Sequence, residues 1–199
     1  RALLLLTAAV VAAGCQPLAN ETGEAFTATG ELIAMGGGEA GARTACFRCH
    51  GLNGEGDGVS TPRLAGLDPG YLRKQLEDYA AGPRFDATMT PVARRLDHDD
   101  RLAVAAYYAA LSPPARGTAA APAPRLYAQG DHARALPACA DCHGRAGEGI
   151  GPANPALAGQ PAAYTVDQLR RWRTSDRRND PRGVMSAAAA ALGDGEMRA

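Results

Sequence analysis

Two stretches decide the fold: Cys46-Phe47-Arg48-Cys49-His50 and Cys139-Ala140-Asp141-Cys142-His143. Each is a CxxCH, the spacing that attaches a haem of the c type. Two thiols three positions apart can each form a thioether to one vinyl group of the same porphyrin. The His that follows then lies under the ring and offers an imidazole nitrogen to the iron. Structural zinc also uses CxxC pairs, with four ligands closing a tetrahedron. Here each pair carries its own adjacent His, and the pairs stand 93 residues apart, which favours two haems over one zinc. Cys46, Cys49, Cys139 and Cys142 are therefore the expected covalent attachment points, and His50 and His143 the expected iron ligands.

Composition agrees with a small protein built around a cofactor. A chain of 199 residues is one domain or two small ones. Its 21 Lys and Arg balance 21 Asp and Glu, which leaves no basic footprint for nucleic acid. Aromatic residues are 5% of the chain, with Trp172 the single tryptophan, so few large side chains exist to fill two cores. A buried porphyrin in each half would supply the missing apolar surface, and the apoprotein is expected to fold poorly.

The chain repeats itself. At an offset of 93 the two motifs coincide, and Gly51, Gly54, Glu55, Gly56 and Gly58 fall on Gly144, Gly147, Glu148, Gly149 and Gly151. Pro62, Leu64, Ala65 and Gly66 fall on Pro155, Leu157, Ala158 and Gly159, while Tyr71, Gln75, Leu76 and Arg84 fall on Tyr164, Gln168, Leu169 and Arg177. Tyr79 meets Trp172. The offset then becomes 96, and Met89 meets Met185, Leu96 meets Leu192, and Asp100 meets Glu196. The counterpart of Val104–Leu111 would lie past Ala199, so the closing helix of the second half is expected to be missing.

The repeat also supplies a second axial ligand for each iron. Met89 and Met185 are the aligned pair of methionines, each expected in a loop well after its His. Met35, His98 and His132 are the competitors; the two histidines are expected to be solvated. Thioether ligation favours ferrous iron, and two filled axial positions leave outer-sphere transfer of one electron per haem. Pro62 and Pro155 each lie twelve residues after their His and are placed to offer a carbonyl to its other ring nitrogen.

Between these points the chain reads as helix and loop. Asp68-Pro69 opens a helix over Pro69–Ala81 with Tyr71, Leu72, Gln75, Leu76 and Tyr79 on one face. Gly82–Pro91 reads as irregular. The acids of Asp97–Asp100 cap a helix over Arg101–Leu111 with Leu102, Ala105, Ala106, Tyr108 and Ala109 on its packed face. Arg84 and Arg177 are either partners of haem propionates or solvated surface residues.

The N-terminus carries an export signal. A basic residue leads a short apolar run over residues 1–14, too short to span a bilayer. Ala12-Ala13-Gly14-Cys15 resembles the lipobox of bacterial lipoproteins, which implies lipidation at Cys15 and a protein anchored to a membrane. The expected organisation is a signal peptide over 1–14, a tether over 15–29, a first domain over 30–112, an Ala/Pro linker over 113–124 and a second domain over 125–199.

CxxCHG, a Gly-rich loop, Pro-x-Leu-Ala-Gly, Tyr, Gln-Leu, an axial Met and a capped Ala-Tyr-Tyr helix, in that order, resemble the cytochrome c4 family. The resemblance covers residues 25–199. It implies an all-α fold of two tandem mono-haem cytochrome c domains related by an internal repeat, with two covalently bound haem c groups. The implied axial pairs are His50/Met89 and His143/Met185. It also implies a periplasmic carrier between a quinol-oxidising complex or dehydrogenase and a terminal oxidase. Leu67 departs from the Leu-Ala-Gly-Gln that Gln160 keeps. Two other readings compete: a haem subunit of a larger dehydrogenase, and a dihaem enzyme such as a thiosulfate dehydrogenase or a peroxidase. A thiosulfate dehydrogenase of this kind uses an axial Cys, and Cys15 is the one Cys outside the motifs.

Overall fold

Local signals set one of the two longest helices of the first half. Asp68 accepts from the Tyr71 backbone N–H at 3.1 Å, and Pro69 takes the first helical position, where a missing N–H costs nothing. The computed structural model describes residues 29–115 and 123–198. The signal segment, Cys15, most of the tether and the middle of the linker lie outside the described residues.

The first half comprises α1 (residues 29–36), α2 (Phe47–His50), α3 (Pro69–Ala81), α4 (Met89–Arg95) and α5 (His98–Ala110). The second comprises α6 (Arg125–Gln129), α7 (Cys139–His143), α8 (Ala162–Arg173) and α9 (Val184–Ala191). Short 3-10 turns over Gly38–Ala40 and Ala42–Thr44 precede α2, and one over His132–Arg134 precedes α7. Among the described residues the extended pairings are isolated bridges, so the fold is helical.

Packing in the first half brings α3 and α4 together and sets α5 across α3. Ile33 and Ala34 of α1, Leu67, Tyr71 and Leu72 of α3 and its approach, and Val104, Tyr107 and Tyr108 of α5 make one apolar cluster. Gly30 lets α1 touch α5, since a Cβ there would overlap the Ala103 carbonyl and the Tyr107 Cβ. In the second half α8 packs on α9 and α6 on α7.

Two sequence expectations need correction. The stretch read as irregular ends in a helix: α4 starts at Met89, and α9 starts at Val184 just before Met185. Asp86 and Asp180 accept first-turn backbone N–H groups and so start these helices. Pro91, the end of the stretch read as irregular, falls in the first turn of α4, where its lack of an N–H is harmless. Second, α5 begins three residues earlier than expected, at His98, behind a reciprocal capping box between Asp97 and Asp100. Its buried residues are Ala103, Val104, Ala105, Tyr107 and Tyr108, while Leu102 is 36% exposed. The face is rotated because α5 packs against both α1 and α3.

Candidate functional site

Both CxxCH motifs are built alike. Cys46 immediately precedes α2, and Cys139 opens α7; one helical turn puts each first thiol beside the second, three positions on. All four thiols are free. Burial pushes the Cys46 thiol up to about 11 and also raises that of Cys139, so the folded chain holds both as neutral thiols. Cys49 and Cys142 are exposed.

Each helix ends on its histidine, and both residues are buried, at 6% exposure. His50 Nδ1 lies 2.9 Å from the Pro62 carbonyl oxygen and His143 Nδ1 lies 2.8 Å from that of Pro155. A carbonyl accepts only, so each Nδ1 carries the proton and each Nε2 keeps a free lone pair. Burial lowers the pKa of both imidazoles, with the carbonyls acting the other way, so both are held neutral. The Gly-rich loops close over these turns: at Gly54 a Cβ would lie 2.7 Å from the Tyr108 ring.

Met89 and Met185 are half-buried. Their backbones are fixed by acids that sequence reading missed. Asp86 Oδ1 accepts from the Met89 and Thr88 N–H groups, each at 2.9 Å, and Asp180 Oδ2 accepts from Met185 at 2.6 Å and Ser186 at 3.0 Å. An Asp three to five positions ahead of each Met is a helix-start signal that could have found them. His98 is 3.8 Å from Glu77 with an exposed ring, and His132 is exposed in its 3-10 turn. Met35 packs on the first-half core.

Arg84 and Arg177 correct the surface reading. Each is only 4% exposed, and they meet across the two halves in an antiparallel bridge. Arg84 donates to Gln75, Gln168 and Tyr164 at 2.7–2.8 Å, while Arg177 donates to Gln168 at 2.9 Å and Gln75 at 3.1 Å. Each guanidinium also lies over its own half's aromatic: Arg84 over Tyr79 at 4.5 Å, Arg177 over Trp172 at 3.8 Å. A second contact between the halves is made by Gln160, whose Oε1 accepts from Arg63 N–H at 3.1 Å and whose Nε2 donates to Arg63 O at 2.9 Å.

The residues present fit a haem in each half. The thiols are free and paired, the imidazoles are neutral with Nε2 available, and the buried Trp172 Nε1–H has no partner of its own, which suits an acceptor such as a haem carboxylate. Among the described residues no three His, Cys, Asp or Glu side chains gather as a metal cluster, so the two CxxC pairs do not combine into one zinc site.

Comparison with known proteins agrees with this geometry. The cytochrome c family model matches residues 37–112 and again 120–198. The chain is 41% identical over 187 residues to the thiosulfate dehydrogenase electron acceptor of Stutzerimonas stutzeri strain A1501, covering 88% of this chain and 85% of the relative. It is 41% identical over 169 residues to cytochrome c4 of Thiocapsa roseopersicina, covering 81% and 86%. Among solved structures, reduced cytochrome c4 from Pseudomonas stutzeri aligns with a TM-score of 0.71 at 30% identity, over 86% of this chain and 92% of that one. Thiosulfate dehydrogenase (TsdBA) from Marichromatium purpuratum aligns with a TM-score of 0.75 at 40% identity over 86% of this chain, which spans 38% of that longer one. The chain therefore belongs to the cytochrome c family, as a tandem two-domain member of the cytochrome c4 type that carries electrons on two covalently bound haem c groups.

Proposed function

We propose that this protein takes single electrons from a dehydrogenase that oxidises thiosulfate and passes them on towards a terminal oxidase. The observation that carries this reading is the 41% identity, over 88% of the chain, to a relative named as the electron acceptor of thiosulfate dehydrogenase. In the TsdBA structure a matching segment belongs to a longer chain named for the dehydrogenase, which supports physical association of carrier and enzyme. A second reading, a general carrier between a quinol-oxidising complex and a terminal oxidase, draws on the equal identity to a cytochrome c4.

In this proposal Cys46 and Cys49 bind the first haem and Cys139 and Cys142 the second. His50 with Met89 would hold the first iron, and His143 with Met185 the second. Each haem supplies a ferric/ferrous couple. The protein's part is to exclude water, to fix each imidazole through the Pro62 or Pro155 carbonyl, and to hold each thioether at the first turn of a helix. An iron held by both a His and a Met would leave no open position for substrate, which suits outer-sphere transfer of single electrons. We place the protein in the periplasm, held to a membrane through a lipid on Cys15.

The test mixes the oxidised holoprotein with catalytic thiosulfate dehydrogenase and thiosulfate and follows haem reduction by stopped flow. Rapid reduction of both haems, absent without the enzyme, is expected. Reduction no faster than for an unrelated c-type cytochrome would reject the thiosulfate reading and leave the quinol-linked one. Direct turnover of thiosulfate by this chain alone would reject the carrier role.

A further inference from the structure

Pro62 and Arg63 share one peptide bond. Its carbonyl end accepts from His50 Nδ1–H at 2.9 Å, and its N–H end donates to Gln160 Oε1 of the other half at 3.1 Å. The two bonds are therefore in series: the Gln160 amide oxygen, the peptide, the imidazole. A peptide whose N–H is engaged is polarised, and its carbonyl becomes a stronger acceptor. The link is held from several directions. Gln160 Nε2 returns a bond to Arg63 O at 2.9 Å, Arg63 reaches Ala158 O at 3.1 Å, and Arg63 is itself buried.

The second half lacks this chain of bonds. Its equivalent peptide joins Pro155 and Ala156, and the Pro155 carbonyl accepts from His143 at 2.8 Å in the same way. Among the described residues nothing accepts from the Ala156 N–H. The position that matches Gln160 is Leu67, a buried core residue with no acceptor to offer. The repeat is otherwise close here, so the difference isolates one variable: an amide oxygen behind one axial imidazole and not behind the other.

We propose that Gln160 is a positioning residue through which the second domain tunes the haem of the first, by polarising the Pro62–Arg63 peptide that accepts from the axial His50. The proposal rests on His50 as an iron ligand. A stronger acceptor at Nδ1–H gives the imidazole more anionic character, which stabilises ferric iron and lowers the potential of that haem. The asymmetry thus separates the two couples, and it does so only while the domains are docked.

The test uses the holoprotein and two variants, Gln160→Leu and Gln160→Glu, in anaerobic spectroelectrochemical titration. Two attached haems and the thioether-to-iron charge-transfer band are checked first in the wild type; their absence would reject the ligand assignment itself. The same titrations in a Met185→His background, which moves the second haem to low potential, assign the remaining high-potential step to the first haem. Gln160→Leu is expected to raise that step by a two- to threefold change in the ferric/ferrous equilibrium, ~20–30 mV for one electron. Gln160→Glu, a stronger acceptor, is expected to lower it. Opposite shifts confined to the first haem support the proposal. Shifts of the same sign in both variants, equal shifts at both haems, or no shift would overturn it, since a merely structural role gives those results.

Discussion

At the scale of single residues, the repeat separates what serves the cofactor from what serves the fold. Positions where the halves agree in kind, such as His50 and His143, end in matching geometry, with Nδ1 bonds of 2.9 and 2.8 Å. Positions where they differ carry the asymmetry, as Leu67 and Gln160 do. Glu196 shows what a single carboxylate can do at the surface. It meets Arg134 through two bonds of 2.8 and 2.9 Å and also accepts from the Gly193 N–H. Arg134 first, then the Gly193 N–H, pulls its pKa down to about 2. The folded value lies below the unfolded one, so its contribution is complete above about pH 4.5 and disappears as pH falls towards about 2. Glu196→Gln should flatten this part of the acid unfolding curve, followed by circular dichroism, and leave stability at pH 7 to 8 with no pH slope of its own. An unchanged acid limb would show that the pair is loose in solution. The paired cysteines, the histidines and the proline carbonyls they meet were legible in the sequence because each depends on fixed spacing along the chain. Gln160 and Arg63 were not, because their partners are 97 residues away and no periodicity encodes such a contact.

At the scale of elements, helix starts decide where Met89 and Met185 stand. The cap of α3 could be read from Asp68-Pro69, and the acids ahead of α5 from their number, because both are local signals. The start of α4 was hidden by Pro91, and the acid that accepts its first N–H sits three positions before Met89 in what looks like loop. Asp86 serves two ends at once. Its Oδ1 accepts from the Met89 N–H, and its Oδ2 lies 3.6 Å from Arg171 of α8 in the other half. Asp86→Ala should therefore cost about 1 kcal/mol of stability, the usual worth of a side-chain acceptor for helix-start N–H groups. It should also weaken the thioether-to-iron band of the first haem, because the first turn of α4 loses the bonds that fix Met89. Denaturant unfolding and near-infrared absorption of the ferric holoprotein measure the two effects. Loss of stability with an intact band would mean that the iron, not Asp86, holds Met89 in place. The rotated face of α5 belongs to the same scale. Its residues were assigned to one packed stripe, but in a helix held between α1 and α3 the buried arc is turned: Ala103, Val104 and Tyr107 enter it and Leu102 leaves it.

At the scale of the whole molecule, the two halves are joined by reciprocity. Arg84 holds Gln75 of its own half and Gln168 and Tyr164 of the other; Arg177 holds Gln168 of its own half and Gln75 of the other. Such a contact has the self-complementary form of a two-fold dimer, built here within one chain. Two guanidiniums this close repel, and burial together with the charge of Arg84 lowers the pKa of Arg177. The pair persists because amide and phenol oxygens from both halves surround it, and because each cation lies over an aromatic ring. Arg84→Ala removes three hydrogen bonds from a charged donor and leaves the buried Gln75 and Gln168 and the half-buried Tyr164 with fewer partners. Relief of the repulsion offsets part of that loss, so a net cost of about 2–4 kcal/mol is expected. The cost falls on the contact between halves rather than on either core. Unfolding of the holoprotein in guanidinium chloride, followed by the Soret bands and by far-ultraviolet circular dichroism, should change from one transition to two as each domain unfolds on its own. The Gln160 contact remains in this variant, so the domains stay associated without denaturant. A single transition moved to lower denaturant would show that the halves fold as one unit and that the arginine pair is one contact among many. An unmoved transition would show that its bonds and its repulsion cancel.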